Sequence, residues 1–199
     1  MTNSVLIAGG GIAGLAAAVG LARAGWQPKV CERAPAFSAV GAGVQLGPNV
    51  TRILRAWGAE AALAQVGFQP ERLLARDLNS GEVLATMSLK DAQHRYGSPY
   101  VTMHRADLHG LLLQLAHSQN LVLQNDQQVK ELRHQPNGVL AQYSNGEPDT
   151  SHQMAVVADG VWSQLRQQLL NDGVATFTGH VAYRALIKQA DLPAALRTQ

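Results

Sequence analysis

The apolar positions of this chain fall into distinct rhythms. Residues 5–8 (VLIA) and 154–158 (MAVVA) are short, continuous apolar runs, the pattern of strands covered on both faces. Residues 12–24 are rich in Ala, Leu and Val and end at Gly25, which reads as a helix with its stop. Residues 29–31 form a second strand that ends in Glu32. Pro48 suits the first turn of a helix whose apolar face is Ile53, Leu54 and Trp57, and residues 59–66 form a short helix after it. Residues 73–78 and 82–87 alternate around Asn79-Ser80-Gly81, and residues 128–133 and 139–144 do so around Pro136-Asn137-Gly138, two hairpins. Residues 100–103 are extended. Residues 106–118 are helical, with Leu108, Leu111, Leu112 and Leu115 toward a core. Residues 121–123 are a short buried strand. Ser163 can cap a helix running to Leu170, and residues 180–187 begin a further strand.

The first βαβ unit carries the strongest chemical signal. Gly9-x-Gly11-x-x-Gly14 lies between its first strand and helix. Gly9 allows a tight turn, Gly11 lets a pyrophosphate approach the backbone, and Gly14 lets helix pack on strand. The amides of the helix start, at Ile12 and Ala13, face such a phosphate, with the positive end of the helix dipole behind them. Glu32 lies eighteen residues past Gly14, where a ribose-binding acid belongs. Arg33 could take a 2′-phosphate, but Glu32 would repel one, which favours a plain ribose. A glycine turn serving only close packing explains Gly14, but not three glycines in a row followed by a placed acid. The fingerprint alone does not separate FAD from NAD.

Residues 41–49 (GAGVQLGPN) hold three glycines and then Pro48. They read as irregular backbone, either a flexible connection or a loop kept bare so that a flat ligand can lie against it. A chain that starts βαβ and then inserts hairpins is α/β, yet it is not a plain doubly wound domain.

Composition narrows the class. The chain has 199 residues, 46% hydrophobic and 15% charged, with a net charge of +2 and no basic block. Nothing in that pattern favours nucleic acid or a membrane surface. The single cysteine, Cys31, excludes an internal disulfide and fits a reducing, cytoplasmic setting; in its strand it reads as a small buried residue. The N-terminus lacks a signal-peptide pattern. No metal site is expected, because His104, His109 and His117 do not share one helix face.

Taken together, residues 9–14 with Glu32-Arg33, residues 41–49, His104-Arg105-Ala106-Asp107-Leu108, and residues 158–163 running on to Arg166 resemble the FAD-dependent aromatic hydroxylases. These are single-component flavoprotein monooxygenases of the salicylate and hydroxybenzoate hydroxylase kind. Residues 179–184 (GHVAYR) resemble that family's entry into its substrate domain. The resemblance implies a Rossmann-like FAD-binding domain with inserted β-hairpins and the start of a β-rich substrate domain. It divides the chain into 1–72 with 98–175 for FAD, and 73–97 with 176–199 for the substrate side. It implies FAD as cofactor, NAD(P)H as transient co-substrate, O₂, and a small aromatic substrate that is hydroxylated.

The same resemblance assigns residues. Glu32 corresponds to the ribose ligand and Arg105 to the arginine at the phosphate–ribose region. The backbone near Val129 would meet the adenine, and Asp159 belongs to a motif tied to FAD and the nicotinamide nucleotide. Gly43 and Val44 fall in the glycine stretch laid against the cofactor. The catalytic residues stay unassigned, with Gln45, His180 and Tyr183 as candidates. Plainer roles stand beside these: Asp159-Gly160 as a turn, Arg105 paired with Asp107, His180 as a satisfied structural histidine, Tyr183 as a core-edge residue. Family members run to nearly twice this length, so the chain corresponds to an N-terminal half. An incomplete C-terminal edge follows, closed by a missing half or by another copy. Two other readings remain open: a nucleotide-binding module that does not turn over, and a conventional NAD-dependent dehydrogenase.

Overall fold

The computed structural model describes residues 3–37, 41–183 and 187–194. In chain order the elements are β1 (Ser4–Ala8), α1 (Ile12–Arg23), β2 (Gln27–Cys31), β3 (Gly43–Leu46), α2 (Pro48–Ala56), α3 (Glu60–Val66), β4 (Arg72–Arg76), β5 (Val83–Ser88) and α4 (Ala92–Tyr96). They continue with β6 (Val101–His104), α5 (Arg105–Ser118), β7 (Val122–Gln124), β8 (Val129–Gln135), β9 (Gly138–Tyr143), β10 (Thr150–His152), β11 (Met154–Val157) and α6 (Gln164–Leu170). The chain forms two compact units, residues 1–39 with 106–176 and residues 40–105 with 177–199.

The first unit is layered around a parallel sheet of order β11-β1-β2-β7. β1 is its centre, paired to β2 on one side and β11 on the other. This explains its unbroken apolar run: Val5, Leu6 and Ile7 are fully buried. Alternation sends successive side chains to opposite faces. Ile7 packs with Ala18 of α1, Val30 and, less buried, Phe37. Leu6 and Ala8 pack with Cys31, Val129, Leu132, Ala141, Tyr143 and Leu165. The second face is thus covered by the antiparallel sheet β10-β9-β8 and by α6. At Ser163 the expected cap is present, with its Oγ accepting from the Arg166 N–H at 2.9 Å.

The second unit holds two small antiparallel ladders, β3 with β6 and β4 with β5. Residues 41–49 are therefore not wholly irregular, as expected from their glycines. Gly43 to Leu46 pair in register with His104 to Val101, a partner nearly sixty positions away that supplies the ladder which glycine-rich sequence does not signal. Pro48 opens α2 as expected, and α2 is fixed by Thr51, whose hydroxyl donates to the Pro99 carbonyl at 2.7 Å.

Two further expectations need correction. Residues 180–183 carry no ladder and form no strand, while 184–186 of that expected strand lie outside the described residues. Tyr183 is 97% exposed, which removes the core-edge reading. The helix α4 and the strand β10 are additional elements, each short and without a strong pattern of its own. Among the described residues, no helix is long and apolar enough to cross a membrane.

Candidate functional site

In the first unit the chemistry gathers at the C-terminal ends of β1, β2 and β11, where an open parallel sheet offers a crevice. The turn after β1 shows what each glycine is for. Gly9 has φ of +110°, and a Cβ there would overlap the carbonyl oxygen of Ala158. At Gly14 a Cβ would overlap the carbonyl oxygen of Gly9. Both glycines are required by the protein itself. Gly11 is different: its φ of −74° and ψ of −175° suit any residue, and a Cβ would meet nothing within 4 Å among the described residues.

Gly11 is also the N-cap of α1 and brings no side chain to its first amides. The first turn, Ile12 to Leu15, is wholly uncharged. Amides at a helix start lack intrahelical acceptors and carry the positive end of the dipole. The space beside Gly11 is thus bare and open, at the positive end of the helix dipole.

The intervening Gly10 is held on both sides. Its N–H donates to Glu32 Oε2 at 2.6 Å, and its carbonyl accepts from His109 Nε2 at 2.8 Å. Glu32 Oε1 accepts from the Ala34 N–H at 2.9 Å. A Cβ at Gly10 would run into the Phe37 ring. Glu32 therefore stands beside the turn, as expected of it, with one lone pair of each oxygen engaged by backbone. Arg33 next to it is exposed.

Asp159 follows β11. Its Oδ1 is buried and has no hydrogen-bond partner among the described residues. A buried carboxylate oxygen without a donor is costly, so this atom fits a site that receives a hydroxyl from outside the chain. Val129 is buried in the core under the sheet, which leaves only its backbone to meet a ligand. Cys31 is buried, and its thiol lies 3.5 Å from Gln127 Oε1. Burial pushes its pKa up to about 11, so it stays a protonated thiol at neutral pH and is no nucleophile.

The second unit holds the remaining candidates. Gly43, Val44 and Gln45 lie on β3, where Gly43 and Gln45 share the exposed face and Val44 the opposite one. Arg105 donates its backbone N–H to Ala42 at 3.1 Å, and its aliphatic stem lies where a Cβ of Gly41 would fall. His180 and Tyr183 are both exposed. His109 and Phe37 are the residues that reading the chain alone missed; the available signal was a histidine beside Leu108 on the apolar face of α5.

A strand, a glycine turn open beside Gly11, a helix start and an acid at the end of the second strand make up the pattern of an α/β dinucleotide-binding fold. Residues 2–193 match the family described as FAD binding domain, and the chain belongs to that family. It is 38% identical over 199 residues to 3-hydroxybenzoate 6-hydroxylase 1 of Aquipseudomonas alcaligenes, covering 99% of this chain and 50% of that protein. It is 37% identical over 183 residues to 6-hydroxynicotinate 3-monooxygenase of Bordetella bronchiseptica, covering 92% and 47%. Among solved structures, Klebsiella pneumoniae HpxO complexed with FAD and uric acid superposes with a TM-score of 0.70 at 27% identity, over 84% of this chain and 41% of that one. The tetrameric form of 2-methyl-3-hydroxypyridine-5-carboxylic acid oxygenase superposes with a TM-score of 0.72 at 27% identity, over 85% and 42%. The chain spans about half the length of the curated relatives it matches.

Proposed function

We propose that this chain is the FAD-binding portion of a flavoprotein monooxygenase that uses NAD(P)H and O₂ to hydroxylate a small aromatic substrate. The observation that carries the cofactor reading is Gly11, a glycine for which the described residues give no steric or conformational need. The named activities of the relatives support the reaction class and a substrate of the hydroxybenzoate or hydroxynicotinate kind. FAD, when bound, supplies the electron and oxygen chemistry.

The chain's own residues bind and orient. The amides of Gly11, Ile12 and Ala13 receive the pyrophosphate, and the close packing at Gly9 and Gly14 keeps that turn in place. Glu32 accepts from a ribose hydroxyl through its remaining lone pairs, with Arg33 at the edge. The backbone at Val129 meets the adenine, and Asp159 Oδ1 accepts a cofactor hydroxyl. The assignment includes Gly43, Val44 and Arg105 of the second unit, on the resemblance alone, with Gln45, His180 and Tyr183 as candidates for the unassigned catalytic residues. The division into 1–72 with 98–175 for FAD and 73–97 with 176–199 for substrate belongs to the same proposal. So do a cytoplasmic location and a homo-oligomeric state, the latter supported by the tetrameric relative.

The visible spectrum of the purified protein tests the reading. Flavin absorption bands are expected as isolated or after reconstitution; a colourless protein that takes up no FAD sinks it. The length comparison favours a second reading, an FAD-binding module that does not turn over by itself. NAD(P)H oxidation stimulated by an aromatic acid would exclude that.

A further inference from the structure

We propose that His109 is a positioning residue that orients the Gly10–Gly11 peptide so that the Gly11 amide is presented to the phosphates. This rests on the FAD reading above and adds to it a residue outside the glycine fingerprint.

The argument starts from the freedom of three successive glycines. Each reaches more of φ/ψ space than any other residue, so a run of them has no fixed shape of its own. Here the peptide between Gly10 and Gly11 is fixed from outside. The Gly10 carbonyl can only accept, so the 2.8 Å contact requires a proton on His109 Nε2. In a planar trans peptide the carbonyl oxygen and the following N–H point in opposite directions. Holding the Gly10 oxygen toward α5 therefore turns the Gly11 N–H to the other side. On the other side of Gly10, Glu32 holds the N–H at 2.6 Å. The plane cannot flip without breaking a buried hydrogen bond.

The surroundings of His109 leave the ring little else to do. It is 5% exposed. The Phe37 ring lies 6.4 Å from it, centroid to centroid, tilted by 35°. Phe37 also fills the space that a side chain on residue 10 would need. Donor and aromatic ring thus close the turn on the side away from Gly11.

The test compares His109→Gln with His109→Met. The glutamine amide nitrogen lies as many bonds from Cα as His Nε2 and can donate in its place; methionine is of similar size and cannot. FAD dissociation constants come from flavin fluorescence, and hydrogen exchange at residues 9–14 is read on the FAD-free protein. His109→Met should weaken FAD by about five- to tenfold, the equivalent of one buried hydrogen bond, and speed exchange at Gly10, whose N–H is held by Glu32. His109→Gln should stay within about twofold of wild type by the same measure. If wild type takes up FAD and both variants bind it equally well, the role of His109 is overturned while the FAD reading stands. If wild type takes up none, the reading falls and this proposal with it. Should either variant fail to fold, the imidazole nitrogens of the wild-type FAD-free protein decide by nitrogen-15 NMR. A proton held on Nε2 of His109 and slow to exchange supports the proposal, and a neutral ring with its proton on Nδ1 overturns it.

Discussion

Residues 4–23 and 72–88 each fold as two adjacent elements around a turn that contains glycine, yet the two turns use glycine for different ends. In the first, Gly9 and Gly14 let backbone approach backbone, at Ala158 and at Gly9 respectively. In the second, Gly81 has φ of +73° and only open space where a Cβ would stand among the described residues. The strands differ in the same way. Val5, Leu6 and Ile7 are fully buried, whereas every residue of β5 is exposed. The pairing of a hairpin joins segments adjacent in sequence, as β4 with β5. Burial of a strand on both faces needs partners from distant parts of the chain, here β2, β11, α1 and the β8–β10 sheet. Glycine in such a place is a packing residue first.

Predictions that would break or sharpen this contrast run from large to small. Gly14→Val places a branched side chain on the Gly9 carbonyl and should abolish cooperative folding, costing more than about 4 kcal/mol. A thermal transition like that of wild type would show that α1 does not need its close approach to the turn. Leu6→Ala removes a fully buried side chain and should cost about 2–5 kcal/mol by denaturant unfolding. Gly11→Val should leave the melting transition of the FAD-free protein nearly unchanged, within about 1 kcal/mol, while FAD uptake is lost. Retained flavin in that variant would contradict the phosphate role of the turn. Leu84→Thr, on the exposed hairpin, should shift stability by no more than about 0.5 kcal/mol; a cost like that of Leu6→Ala would mean that β5 is covered in solution.

How far these features are legible in sequence follows the same division. The βαβ start, both hairpins, the Ser163 cap and Pro48 at the head of α2 rest on local signals, and each is where the pattern puts it. The β3–β6 ladder was not legible. Its glycines carry no strand signal, and its partner lies far along the chain. Residues 180–183 fail in the opposite sense: they alternate well but have no ladder partner among the described residues. At the candidate site, Gly9, Gly11, Gly14 and Glu32 were readable because the fingerprint has a fixed spacing. The same fingerprint divided their tasks; what it did not carry is the backbone that Gly9 and Gly14 lie against, the carbonyls of Ala158 and Gly9. His109 was invisible for a similar reason. A histidine one residue from Leu108 reads as part of a helix face until the turn it touches is in view.

The smallest expected effect tests what holds the exposed hairpin. With little apolar cover, an isolated two-stranded ladder is marginal, so the turn itself matters. Asp77 organises that turn: its Oδ1 accepts from the Asn79 N–H at 3.0 Å, the Ser80 N–H at 2.8 Å and the Ser80 hydroxyl at 3.0 Å. The Ser80 backbone bond first, then its hydroxyl and the Asn79 N–H, hold the Asp77 carboxyl below its ordinary value of 3.8. A carboxylate whose folded pKa is depressed contributes stability above its unfolded pKa and loses it as pH falls through the folded one. The hairpin turn should therefore loosen on acidification below 3.8, and the shift should be local because every donor to the Asp77 carboxylate belongs to the turn itself. Amide chemical shifts of Asn79 and Ser80, followed by NMR against pH, should titrate with a midpoint below 3.8, and Asp77→Asn should abolish that titration. The amides of β1 should not follow it. A midpoint at the ordinary aspartate value would show that the turn is not held by this side chain in solution. A titration shared by β1 would show that the hairpin and the buried sheet are coupled after all.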